Sequence, residues 1–150
     1  MAADEDLPPV DSARRTFKGL NLPRRLTMDW LVVKASEIIG KPISFSQRPP
    51  NDLHASARLF VTPSKAIIEY QARLPTVLES QCKLHELSHI FLGWLTPEPD
   101  YFDVLRGRLA FHRGREESAR EESVEILADL LARALRDAGV EPARFEEVFG

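Results

Sequence analysis

A chain of 150 residues, 43% hydrophobic and 29% charged, suits one globular domain with its own core. It excludes collagen-like, coiled-coil and wholly disordered classes. The formal net charge of -3 argues against a dedicated nucleic-acid binder, whose footprint should be strongly basic. Basic clusters at Arg14, Arg15 and Lys18, at Arg24 and Arg25, and from Arg106 to Arg115 read as solvated surface.

The single cysteine, Cys82, cannot form an internal disulfide and suits a reducing compartment. No apolar run reaches the ~18 residues of a membrane span. The acidic start, MAADEDLPPVDSARR, lacks the apolar stretch of a secretory signal. A cytoplasmic protein without membrane contact is expected.

In chain order, residues 1–26 read as a flexible N-terminal arm, with few large apolar side chains and Pro8-Pro9. Residues 27–150 read as one domain. Thr27 is a helix N-cap, and Trp30, Leu31, Val33, Ala35, Ile38 and Ile39 repeat at helical spacing until Gly40 and Pro42 stop them. Ile43–Ser46 alternates as a strand. Ala57–Val61 and Ala66–Tyr70 flank the turn Thr62-Pro63-Ser64-Lys65 and predict a hairpin.

Thr76 and Glu79 form a capping-box pattern for a second helix, which runs to Leu92 and ends at Gly93. An irregular stretch from Thr96 to Arg115 carries two prolines and two glycines. A last helix is expected from Glu116 to Ala138, ending at Gly139, with a short turn over Pro142–Phe149. Runs of strands between helices give an α+β class, with helices on a short, mostly antiparallel three-stranded sheet.

His85-Glu86-Leu87-Ser88-His89 is an H-E-x-x-H string on the second helix. Histidines four apart lie one turn apart on one face and can aim two imidazoles at one ion. Neutral imidazoles suit zinc, with Glu86 as the general base that activates a zinc-bound water. Leu84, Leu87, Ile90 and Phe91 make this a core helix.

Such a site needs a third protein ligand. The last helix offers two registers: Glu121 as ligand with Glu125 beside it, or Glu125 as ligand with Asp129 behind it. Val124, Leu127, Ala128, Leu131 and Leu135 define a buried stripe. Glu121 and Glu125 border it, while Asp129 points towards solvent, so Glu121 is the preferred ligand and Glu125 the second-shell or alternative one. His112, Tyr70 and Tyr101 are the candidates for stabilising an oxyanion. His54 reads as a loop residue.

These stretches, His85–Leu92 and Glu121–Leu131, resemble the ImmA/IrrE family of small metallopeptidases over roughly residues 27–138. The resemblance implies a zincin-like domain and one zinc ion per chain. His85, His89 and Glu121 would be its ligands, and Glu86 the base. It implies hydrolysis of peptide bonds in a specific partner, typically a helix-turn-helix repressor or antitoxin, in mobile-element or toxin–antitoxin settings. The chain departs from the family pattern at Ser88, where glycine is usual, and at Val124, where alanine is usual. No segment before residue 27 reads as a DNA-binding helix-turn-helix, so no direct nucleic-acid contact is expected. The alternative readings are a non-catalytic zinc-containing regulatory module and a toxin-like protein controlled by an antitoxin.

Overall fold

The computed structural model describes residues 7–49, 57–93 and 115–149, with side chains of the last stretch described over 118–139. Among these residues, four helices and three strands come in the order α1 (Pro9–Gly19), α2 (Met28–Ile39), β1 (Ile43–Arg48), β2 (Ala57–Val61), β3 (Ala66–Gln71), α3 (Thr76–Phe91) and α4 (Arg115–Phe149). The class is α+β, as the sequence predicts.

The sheet has the order β1-β3-β2. The β2–β3 hairpin is antiparallel, with Leu59 opposite Ile68, but β1 runs parallel to β3, with Phe45 opposite Ile68. The sheet is therefore mixed rather than mostly antiparallel. Alternation along a strand fixes which side chains share a face, but it carries no information about the direction of the neighbouring strand. Ile43, Phe45, Leu59 and Ile68 join the helices in the core from one sheet face.

The other face carries Glu69, which is buried although charged. Arg48 grips it from β1 through Nε at 2.9 Å and a terminal nitrogen at 3.1 Å, and Arg58 of β2 stands 4.0 Å away. One acid thus ties both neighbouring strands to β3. Glu69→Ala is expected to cost about 2 kcal/mol, below the ~3–5 kcal/mol of a fully buried pair because half of the Arg48 side chain is exposed. The midpoint of urea unfolding measures it, and an unchanged midpoint refutes it.

Residues 9–19, expected to belong to a flexible arm, form α1, and this helix packs along α4. Its buried positions are Ser12 and Ala13, with Phe17 half-buried and Leu20 buried just beyond the end. Small residues let two helices approach closely, and that is why a count of large apolar residues passes over such a face. Ala13, Leu20 and Leu26 belong to the same core as Leu31, Ile68, Leu84 and Leu127.

Helix α2 begins as predicted, with the Thr27 hydroxyl accepting from the Trp30 N–H at 3.0 Å. It ends at Gly40, whose φ of 67° is the left-handed conformation that glycine adopts without strain. Its buried positions are Leu31 and Ala35, whereas Ile38, expected in the core, is 49% exposed. The capping box at Thr76 does not form. Pro75 is the N-cap in extended conformation, no side chain caps the helix, and Thr76 is already its first residue. Nor does Gly139 end the last helix, which continues to Phe149. A helical glycine costs only ~1 kcal/mol relative to alanine, too little to stop a long helix by itself.

Among the described residues, no helix is long and apolar enough to cross a membrane.

Candidate metal centre

Helices α3 and α4 pack against each other along a seam of small and apolar side chains. Leu84, Leu87, Ser88 and Ile90 are buried on α3; Ser123, Val124, Leu127, Ala128 and Leu131 are buried on α4. At 100° per residue, Gln81, His85, Ser88 and His89 share one side of α3. Gln81 donates to the Asp129 carboxylate at 3.0 Å and so ties the two helices together one turn before the motif. This tie was not foreseen from the sequence, since a contact between residues 48 positions apart leaves no periodic trace.

The same pairing delivers Glu121 to both histidines. His85 Nε2 lies 3.2 Å from one oxygen of the Glu121 carboxylate, and His89 Nε2 lies 3.1 Å from the other. The imidazole rings stand edge to face, 5.2 Å between centroids. One ligand atom from each of the three residues lies within 4.8 Å of the others, so this group can hold a metal ion. Two imidazole nitrogens and one carboxylate oxygen, from two packed helices, form the donor set that zinc accepts.

Of the two registers left open by the sequence, it is the Glu121 carboxylate that lies against both histidines. Glu125 is exposed, and the carboxylate of Asp129 is engaged by Gln81. Tyr70 is buried on β3, where its ring meets Phe45 and the Lys83 ammonium. His112 and Tyr101, the other two expected oxyanion candidates, lie outside the described residues, as does His54.

The electrostatics follow from this geometry. Burial disfavours the charged imidazole of His85, but the hydrogen bond to Glu121, with the charges of Glu86, Glu121 and Glu125, outweighs it and raises the pKa. Hydrogen bonds from His85 and His89 hold Glu121 well below the usual carboxylate range. Glu86 moves the opposite way: burial raises it, and His89 and His85 only partly offset the shift. The site therefore holds one carboxylate kept ionised and one made more basic. Cys82 is also raised, first by burial and then by Glu86 and Glu79, which keeps its thiol protonated.

Ser88 is fully buried, and its hydroxyl has no hydrogen-bond partner among the described residues. A buried unsatisfied hydroxyl costs about 1–3 kcal/mol. Ser88→Ala is accordingly expected to stabilise the fold by about 1 kcal/mol, or 2–4 °C in melting temperature for a chain of this size. A lower melting temperature in a thermal scan would count against it.

No family model, curated protein or solved structure matches the chain.

Proposed function

We propose that this chain is a zinc-dependent endopeptidase of the ImmA/IrrE type, acting in the cytoplasm on a specific protein partner. One observation carries the reading: His85, His89 and Glu121 converge from two helices beside a buried Glu86 whose basicity is raised.

A zinc ion held there would supply Lewis acidity and lower the pKa of a nearby water. His85, His89 and Glu121 hold the ion. Glu86 accepts the proton of the attacking water and returns it to the leaving amine of the peptide. Strand β2 stands at an edge of the sheet, and α3 packs near it, so an extended substrate segment would add alongside Ala57–Val61 by backbone hydrogen bonds. The partner the reading favours is a helix-turn-helix regulator or antitoxin encoded beside this chain.

The test is direct. The zinc-loaded protein is incubated with the helix-turn-helix regulators encoded next to it, and intact masses are followed. Paired fragments that fail to form with chelator present support the reading. A protein that binds zinc but leaves every such partner whole sinks it.

A further inference from the structure

The Lys83 ammonium lies over two aromatic faces at once, 4.7 Å from the Phe45 ring centroid and 4.8 Å from that of Tyr70. Those rings meet edge to face at 6.4 Å, one from β1 and one from β3. Glu79, one turn earlier on α3, closes the arrangement at 3.6 Å. The Lys83 side chain is only 18% exposed, so this cation is drawn largely out of water into a pocket made by both strands and its own helix.

The place of this contact on the helix gives it a consequence. Lys83 is two residues before His85, about 200° round the helix, and so faces the sheet where His85 faces α4. Helix α3 is thus held from two sides: Gln81 to Asp129 on α4, and Lys83 to the rings of the sheet. A rotation of α3 by a fraction of a turn would carry both imidazoles away from Glu121. The apolar contacts of Leu84, Leu87 and Ile90 resist separation of the layers but are non-directional. A cation over ring faces is directional, because the ring quadrupole attracts it only above the plane.

We propose that Lys83 is the positioning residue of the metal centre. Through the faces of Phe45 and Tyr70 it sets the rotation of α3, and hence the approach of His85 and His89 to Glu121. On this account Tyr70 works through its ring face and not through its hydroxyl. The inference rests on the reading of His85, His89 and Glu121 as a zinc site.

Zinc affinity of the folded chain is the readout, measured by competition with a chromophoric chelator well below the melting temperature. Lys83→Gln is expected to weaken zinc binding by about three- to tenfold, in line with the loss of a partly desolvated cation–π contact. Lys83→Arg, which keeps a cation over the rings, should restore most of it. Tyr70→Phe should leave the affinity unchanged, and Tyr70→Leu should lower it as Lys83→Gln does. A merely structural lysine would lower the melting temperature of the metal-free protein and leave the zinc affinity of the folded chain as it was; that result overturns the proposal. Equal losses in Tyr70→Phe and Tyr70→Leu overturn it too, by assigning the effect to the hydroxyl. A wild-type chain that takes up no stoichiometric zinc overturns the metal reading itself and the proposal with it.

Discussion

Glu121→Ala should lower zinc affinity by more than a hundredfold, whereas Glu125→Ala should change it by less than about threefold. The first figure exceeds the 10–100-fold typical of residues that only support a ligand, because Glu121 is the group whose two oxygens meet both imidazoles. Removing it leaves two histidines on one helix and, among the described residues, no converging donor from the other. Glu125 is exposed, and its charge reaches His85 only through space. If Glu125→Ala proves the more damaging change, the register of α4 against α3 is wrong.

The same variant has a proton signature. In the wild type, Glu121 is the largest of the influences that raise His85, and burial acts against them. With Glu121 gone, burial gains the upper hand, so the His85 pKa should fall, as read by an NMR titration of its ring protons. The sign for stability is set by the two partners. His85 is raised above its ordinary 6.5, so its contribution is full below that value and is lost as pH rises through the raised pKa. Glu121 is depressed, so its contribution is present above the ordinary 4.5 and is lost only in strong acid. Between those ordinary values the ion pair stabilises the metal-free fold most, and the gain from Glu121 should be largest there. A zinc ion held by this group would compete with the same protons, so its affinity should rise with pH through the His85 transition.

One-dimensional patterns encode the faces of single elements and not how those elements are laid together. Spacing put His85, Glu86 and His89 on one helix. The apolar stripe Val124–Leu135 put Glu121 on a border of the seam, where it indeed meets both histidines. Both are properties of a single helix, which periodicity reports directly. Contacts between distant elements were not legible. The parallel pairing of β1 with β3 and the Gln81–Asp129 tie depend on how elements are laid together. The Lys83 pocket left only a partial trace, the i,i+4 spacing of Glu79 and Lys83, which suggests a surface pair rather than a cation over rings. Helix α1 leaves little trace in the sequence because its buried face is built on Ser12 and Ala13, with little hydrophobic weight. The capping box at Thr76 failed because Pro75, in extended conformation, already occupies the cap position.

Glu86→Gln separates holding a metal from using it. Glutamine matches glutamate in shape but cannot accept the proton of an attacking water, so on the proposed peptidase reading hydrolysis of the partner should fall by about 10²–10⁴-fold. Zinc affinity should stay within a few-fold of wild type, since Glu86 is outside the group of three whose ligand atoms converge. Stability should move the other way. Glu86 is 8% exposed, and burial raises its pKa, so the folded state pays to keep this group ionised at neutral pH. The neutral amide removes that penalty. The variant should therefore melt at or above the wild-type temperature at pH 7, and the difference should shrink as the pH falls and wild-type Glu86 takes up its proton. On the proposed reading this is a trade of stability for reactivity. A variant that keeps its zinc, melts no lower and still cleaves its partner at the wild-type rate would leave Glu86 as a buried acid with no part in the reaction.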